Sequence, residues 1–224
     1  MRRTVLSLKL IAAAVLVTAC ATTPPTGPMG FFVTSAGPGD GANLGGLAGA
    51  DAHCQKLAAA AGAGSRTWRA YLSTSFIPPN TIPVHARDRS GKGPWFNAKG
   101  VMVASDVANL HNGNNLTKQT ALTEKGTVVN GRTETPNMHD VLTGSRPDGT
   151  AYSSFPGQIN MTCGEWKSNG AGNAMVGHID RSSSDPTGSP WAVSWNSSHL
   201  SNGCGKDDLP KTGGNGLFYC FAAE

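Results

Sequence analysis

The clearest helical pattern in the chain runs from about Leu47 to Ala61. Its small and apolar residues recur at positions i, i+3, i+4 and i+7, which lie on one face of an α-helix; they are Cys54, Leu57, Ala58 and Ala61. Gly62 and Gly64 follow at once, and glycine commonly ends helices because it adopts a left-handed backbone easily. We therefore predict a helix here, with Cys54 on its buried face.

Short strands are predicted on both sides of this helix. The segment "RTWRAYL" (66–72) alternates, which is the pattern of a strand; one side carries Trp68, Ala70 and Leu72, and the other carries Arg69 and Tyr71. The apolar runs "GFFVTS" (30–35) and "GLFYCFA" (216–222) predict a first and a last strand, and "GPWFNAKGVMVAS" (93–105) predicts a turn, a short strand and a hairpin. The pattern is weak from 106 to 147, and no internal repeat or second domain boundary is visible.

The composition agrees with this pattern of many short elements. Glycine accounts for 29 of the 224 residues and charged residues for only 14%, which favours a strand-rich and loop-rich fold over a helical bundle. We predict one α+β domain with mixed antiparallel sheets, one or two helices and long loops.

The N-terminal segment has the pattern of an export signal. A basic start (Met1 to Arg3) precedes a short apolar run (10–17) and a small-residue site (18–20). The run is shorter than the roughly 20 residues that span a bilayer. Residues 17–20 resemble a bacterial lipobox, which implies cleavage before Cys20 and lipidation of that cysteine. An ordinary signal peptide, with Cys20 there by chance, is the alternative.

These features divide the chain into a signal peptide (1–19), a lipidated tether (20–29) and a domain (30–224). We expect a bacterial envelope lipoprotein whose only membrane contact is the lipid anchor. Ala21 follows Cys20 where an Asp would favour inner-membrane retention, so we expect the outer membrane, on its periplasmic or surface face.

The net charge argues against nucleic-acid binding, and the number of cysteines indicates disulfides. The net charge is +4, and three of the basic residues lie in the signal (Arg2, Arg3 and Lys9), so no basic stripe remains that would bind nucleic acid. Apart from Cys20, the chain has Cys54, Cys163, Cys204 and Cys220. An even number of cysteines in an exported protein indicates disulfides, and arithmetic alone permits three pairings.

Several segments together resemble the endostatin domain of collagens, which has a C-type-lectin-like fold. The matching segments are "GADAHCQKLAAAAGAGSRTWRAYLSTS" (49–75), "LTGSRPDGTAYSSFPGQINMTCGEWKSNG" (142–170), "SWNSSHLSNGCG" (194–205) and "LFYC" (217–220). Bacterial lipoproteins with endostatin-like domains form one branch of this group, and the chain resembles them. The resemblance implies nested disulfides, Cys54–Cys220 and Cys163–Cys204. It also implies a non-catalytic binding module for a glycan or for a matrix or surface protein.

The resemblance also suggests where a ligand would bind. Calcium-dependent C-type lectins use a Glu-Pro-Asn or Gln-Pro-Asp turn and a later Asn-Asp pair as oxygen ligands. Here the matching residues are Arg146-Pro147-Asp148 and Asn196-Ser197, so two oxygen donors are missing and we do not expect calcium. Arg146, Asp148 and Asn196 remain candidates for a calcium-free ligand site.

Tryptophans add a second kind of candidate, because an exposed indole can stack on a sugar. We consider Trp95, Trp191 and Trp195 for this role and take Trp191 as the candidate, whereas Trp68, Trp166 and Trp195 are more typical of a core. A modest basic patch that could bind anionic glycans is conceivable at Arg66, Arg69, Arg87, Arg89 and Lys92, although a solvated loop is the simpler interpretation.

We expect no metal and no cofactor. The histidines are scattered, with no close pair and no HExxH or CxxC motif; they are His53, His85, His111, His139, His178 and His199. The segment "NMHD" (137–140) is typical of a hydrogen-bonded turn, and the N-terminal histidines of the endostatin zinc site have no match here.

We expect no enzyme either. The chain has no GxSxG, SxxK or phosphate-binding loop, and its cysteines are better explained as disulfides than as nucleophiles. A structural lipoprotein without a small ligand is the main alternative, and an enzyme on the same fold is the least favoured. The sequence leaves the oligomeric state open.

Overall fold

The computed structural model describes residues 25–75, 82–152 and 159–224. It has a mixed α+β fold, which confirms the predicted fold class. Within these residues the elements are, in chain order, β1 (Phe31–Val33), α1 (Gly46–Ala60), β2 (Trp68–Ala70), β3 (Trp95–Phe96), β4 (Met102–Ala104), α2 (Val107–His111), β5 (Asp140–Leu142), α3 (Cys163–Trp166), β6 (Met175–His178), β7 (His199–Leu200) and β8 (Gly214–Ala222). Short 3₁₀ helices lie at Ala86–Asp88, Pro190–Val193 and Leu209–Lys211.

Strand β8 organises the main sheet, whose strand order is β1-β8-β5-β6-β7 with β2 also paired to β8. The second half of β8 pairs antiparallel with both β1 and β2, and its first half pairs with β5. The β5–β8 pair is parallel, whereas β6 joins β5 and β7 in antiparallel register. Strands β3 and β4 form a separate antiparallel pair.

Both faces of β8 are buried. Alternate residues point to opposite sides of a strand, so Phe218 and Cys220 join one core cluster with α1, while Tyr219 and Phe221 join a second cluster. The same division separates Trp68 and Ala70 from Tyr71, as the alternation in 66–72 predicts. The strand face that carries Tyr71 packs in the second cluster, so this tyrosine is fully buried as well.

Helix α1 ends as the glycines predict, with Gly62 at a positive φ of 81°. Its side chains also cover the outer edge of β2. The N–H of Ala70 donates to Asp51 Oδ1 at 2.9 Å, and the N–H of Trp68 donates to Gln55 Oε1 at 3.1 Å. Two edge donors of the sheet are therefore satisfied by the helix, which protects the edge from pairing with another chain.

Both disulfides of the implied pairing are present. Cys54–Cys220 joins α1 to β8, and Cys163–Cys204 joins α3 to the loop before β8, with Cα–Cα distances of 5.7 Å in each. These distances are in the usual range for a disulfide. The first bond crosses the core cluster between helix and sheet.

Segment α3 is a left-handed turn rather than an ordinary helix. All four of its residues have positive φ, from 48° at Cys163 to 63° at Trp166. A left-handed turn of L-residues is costly, so tertiary contacts must hold it. The disulfide fixes one end, and Trp166 Nε1 donates to the carbonyl of Ser73 at 2.8 Å at the other.

The folded domain begins earlier than predicted. Thr26 pairs with Val101 and Met29 pairs with Phe96, so residues 26–29 of the predicted tether already contact the domain. Cys20 and the predicted signal lie outside the described residues. Within the part that is described, no helix has the length and apolarity to cross a bilayer.

Candidate functional site: a histidine cluster and the cavity beside it

Three neighbouring strands bring polar side chains to one end of the sheet. Asp140 begins β5 and lies opposite His178, the last residue of β6, in the strand register. His199 begins β7 opposite Val176 of β6. His139 directly precedes β5, and its carbonyl accepts the N–H of Ile179 at 3.0 Å. Strand pairing therefore gathers one carboxylate and three imidazoles that are far apart in sequence.

The imidazoles converge on one oxygen atom. The Nε2 atoms of His139, His178 and His199 lie 3.2, 3.3 and 3.5 Å from Asp140 Oδ1. The rings of His139 and His178 stack at a centroid distance of 4.2 Å. These distances fall within hydrogen-bond range, yet Oδ1, Oδ2 and His178 Nε2 have no hydrogen-bond partner among the described residues.

The opposite nitrogen of each ring shows where the proton lies. His178 Nδ1 is 2.8 Å from the carbonyl of Ala192, and His199 Nδ1 is 3.0 Å from that of Leu200. Because a carbonyl only accepts, these Nδ1 atoms carry hydrogens. His139 Nδ1 lies 3.1 Å from a carboxylate oxygen of Asp180, which sets the same tautomer. In the neutral rings, every Nε2 therefore presents a lone pair toward Asp140.

Asp140 is a buried anion. Its side chain is 0% exposed, and burial alone would raise its pKa, but the contacts with His178 and His199 hold the pKa at about 2. Burial also opposes ionisation of Asp180, but hydrogen bonds from His139 and from the N–H groups of Arg132 and Ser182 hold its pKa below the usual range. Among the described residues, no Lys or Arg side chain forms an ion pair with either carboxylate.

His199 connects the cluster to the surface. Its side chain is 39% exposed, in contrast to the buried rings of His139 and His178. The nearby Asp140 carboxylate raises the pKa of His199, and burial partly opposes this shift.

A surface cavity of about 350 Å³ lies beside the cluster; its lining includes His178, His199, Trp191, Ser183, Ser198 and Asp185. Trp191 is 55% exposed and is the one large aromatic side chain that is exposed in the described part of the chain. It stands on the 3₁₀ helix Pro190–Val193, whose Ala192 carbonyl contacts His178. The same short turn therefore presents an indole to solvent and an acceptor to the cluster.

The candidate Asn196 is buried, at 1% exposure, and this corrects its expected role as a ligand-binding residue. Its amide Nδ2 donates to the carbonyls of Arg146 and Pro147 at 3.1 and 3.2 Å and to the hydroxyl of Tyr71 at 3.0 Å. Its Oδ1 accepts from Ser194 Oγ at 3.1 Å. The structure does place Asn196 beside the Arg146–Asp148 turn, but there its amide holds the turn in place by hydrogen bonds and does not face solvent.

Arg146 and Asp148 are both exposed on that turn. Arg146 lies over the ring of Tyr152, 5.1 Å from its centroid. Asp148 Oδ1 accepts from the N–H and the hydroxyl of Thr150. Neither residue lines the cavity beside Trp191, so the four predicted ligand residues do not form one site.

The other tryptophans lie in the core. Trp68, Trp166 and Trp195 are buried, as expected, and Trp95 is buried as well, so it is not available for stacking on a sugar. Arg89, one of the residues considered for a basic patch, is buried and forms an ion pair with Asp51 at 2.5 Å. It is therefore not available to bind an anionic glycan.

The histidine cluster is the feature that sequence reasoning missed. The segment 137–140 is not merely a turn, because Asp140 starts β5 and His139 stacks on His178. Motif spacing could not reveal the cluster, since strand register, not local sequence, brings its members together. The only local cue is that His139, Asp140 and His178 flank short apolar runs.

Comparisons with models of known protein families and with curated proteins find no match for this chain. The resemblance to endostatin domains therefore stays a prediction based on the sequence segments quoted above.

Proposed function

We propose that this protein is an envelope lipoprotein whose domain is a non-catalytic binding module, and that the cavity beside Trp191 is its ligand site. The observation that carries this proposal is the exposed indole at a polar cavity. Tryptophan is highly buried on average, so the indole of Trp191, which is 55% exposed beside a cavity, offers a surface on which a ligand can stack.

The chemistry of the cavity fits a hydroxyl-rich ligand. The apolar face of a sugar ring can stack on the indole of Trp191, while Ser183 and Ser198 offer hydroxyl groups and Asp185 a carboxylate to its polar edge. Carbohydrate is therefore the ligand class that we favour, as part of a glycan or of a glycosylated matrix or surface protein.

A glycan array probed with the purified full chain tests this proposal. We expect binding of a defined set of glycans, and Trp191→Ala should weaken it at least tenfold. Because Trp191 is exposed, its truncation should change the free energy of unfolding by less than about 0.5 kcal/mol. Val128→Ala, which truncates an exposed apolar side chain outside the cavity, is the matched control and should bind normally.

Two results would contradict the proposal. Absence of binding to every glycan on a broad array would favour the alternative of a structural lipoprotein without a small ligand. Unchanged affinity of Trp191→Ala for an array-positive glycan would place the ligand elsewhere.

The anchor is tested separately, in cells. We expect labelling with palmitate and fractionation with membranes for the wild-type chain, and loss of both for Cys20→Ala, since that cysteine would carry the lipid. Cleavage of the signal at another position would show that Cys20 is not an anchor.

A further inference from the structure

We propose that His139, Asp140 and His178 form the core of a binding site for one divalent first-row transition-metal ion, with the partly exposed His199 as a fourth ligand and Zn²⁺ as the expected occupant. The inference does not depend on the proposed carbohydrate ligand. It rests on the spacing of the donor atoms, on the direction of their lone pairs and on buried polar atoms with no hydrogen-bond partner.

The spacing fits a small tetrahedral ion. A tetrahedral Zn²⁺ with bonds of about 2.0–2.1 Å has ligand atoms about 3.3 Å apart. The three nitrogen–oxygen separations to Asp140 Oδ1 are 3.2, 3.3 and 3.5 Å. The ligand atoms offered by His139, Asp140 and His178 all lie within 4.8 Å of one another, and His199 stands outside this group with its Nε2 3.5 Å from Asp140 Oδ1.

The lone pairs are oriented for coordination. Each ring is fixed at Nδ1 by an acceptor behind it, namely Asp180 for His139, Ala192 O for His178 and Leu200 O for His199. Metal-binding histidines are commonly oriented in this way, because the acceptor sets the tautomer and makes Nε2 a better donor.

A bound cation would balance the charge of the cluster. Around the neutral form of the rings, the carboxylates of Asp140 and Asp180 have no Lys or Arg among the described residues to pair with them. A buried anion without a partner is strongly destabilising. A divalent ion beside Asp140 would balance both charges.

Hydrogen bonding alone does not account for the arrangement. A ring N–H aimed at Asp140 would satisfy its oxygens, yet both oxygens and His178 Nε2 remain unpartnered among the described residues, although they are fully buried. Such orphaned atoms are rare in folded proteins and call for an explanation. An ion between the rings and Asp140 Oδ1 gives both Oδ1 and His178 Nε2 a partner.

The donor set selects the kind of metal. Three imidazole nitrogens and one carboxylate oxygen suit Zn²⁺ and its first-row neighbours, whereas Ca²⁺ and Mg²⁺ prefer oxygen ligands only. Since three of the ligands are buried, the ion would join β5, β6 and β7 from within.

Titration of the purified, tag-free full chain with Zn²⁺ and Co²⁺ after dialysis against a chelator tests the site. We expect one ion per chain, a rise in the melting temperature with Zn²⁺, and the intense visible absorption of tetrahedral Co²⁺. His178→Ala and Asp140→Asn should each weaken Zn²⁺ binding at least a hundredfold. Asp180→Asn, which replaces the carboxylate behind His139 with a neutral amide, should weaken it about 10- to 100-fold.

His53→Ala is the matched control, because this histidine contacts the carbonyl of Ala36 and lies outside the cluster. It should bind Zn²⁺ like the wild type. If His178→Ala or Asp140→Asn fails to fold, His199→Ala replaces it, since His199 is partly exposed and its truncation should be tolerated. Absence of stoichiometric binding to the wild type, or equal binding by the cluster variants and His53→Ala, would overturn the proposal. Neither result depends on whether a glycan binds.

Discussion

At the residue scale, the amide of Asn196 shows how burial changes the role of a candidate ligand. One Nδ2 atom serves two carbonyls of the Arg146–Asp148 turn and the hydroxyl of Tyr71. That hydroxyl is in turn 2.7 Å from His111 Nε2, and His111 Nδ1 is 2.7 Å from the carbonyl of Val107. The amide therefore belongs to a continuous buried network that fixes the corner.

Removing this amide should be costly. Asn196→Ala leaves the carbonyl of Pro147 without its donor, whereas the carbonyl of Arg146 keeps the N–H of Gly149 at 2.9 Å. An unpaired buried polar group costs about 1–3 kcal/mol. We expect a loss of that size in the free energy of unfolding, measured by urea denaturation. Asn112→Ala is the control, because Asn112 is exposed, and it should change stability by less than about 0.5 kcal/mol. An equal effect of the two substitutions would show that the network contributes nothing.

At the element scale, the contact between α1 and β2 depends on a partly buried ion pair. Asp51 Oδ1 accepts both the N–H of Ala70 and the guanidinium of Arg89, whose Nε also donates to the carbonyl of Ala70 at 3.2 Å. Arg89 is 9% exposed and Asp51 is 27% exposed. The pair therefore supplies both a donor and an acceptor to the outer edge of β2.

Asp51→Asn keeps an acceptor for Ala70 but leaves the Arg89 charge without its partner. Breaking a fully buried pair costs about 3–5 kcal/mol; because Asp51 is partly exposed to solvent, we expect about 2 kcal/mol by urea denaturation. In an Arg89→Met background the charge is gone, so the same substitution should cost much less.

Asp207→Asn, at an exposed loop aspartate, is the control for the loss of a surface carboxylate and should be nearly neutral. If Asp51→Asn costs the same with Arg89 and with Met at position 89, the ion pair is not the cause.

At the scale of the whole molecule, two disulfides close long loops in a domain of short strands. Cys54 and Cys220 are separated by 166 residues, and Cys163 and Cys204 by 41. The chain-entropy model gives about 5 kcal/mol for the longer loop and about 4 kcal/mol for the shorter one. The difference is small because loop entropy grows only with the logarithm of loop length.

Replacing each pair with alanines tests this ranking. We expect Cys54→Ala/Cys220→Ala to lose about 1 kcal/mol more unfolding free energy than Cys163→Ala/Cys204→Ala, measured in urea for both double variants. A larger loss for the Cys163–Cys204 pair would show that this disulfide also stabilises the left-handed turn of α3, beyond loop closure.

Much of the fold follows from local sequence. The periodicity of residues 47–61, the glycines after them and the apolar run of 216–222 correspond to α1, its end at Gly62 and β8. These features are predictable because helix and strand periods act over a few residues. The left-handed turn of α3 and the parallel β5–β8 pair were not predictable, because both depend on contacts far along the chain.

The candidate site, in contrast, does not follow from local sequence. Local patterns were enough to predict the helix, the first and last strands and cysteines suited to disulfides, because these depend on short-range periodicity and residue type. Long-range contacts bury Asn196, leave Trp191 exposed beside a cavity and bring three histidines to Asp140, and no local pattern indicates them. The physical reason is strand register, since a slip of one residue would turn Asp140 or His178 to the opposite face of the sheet.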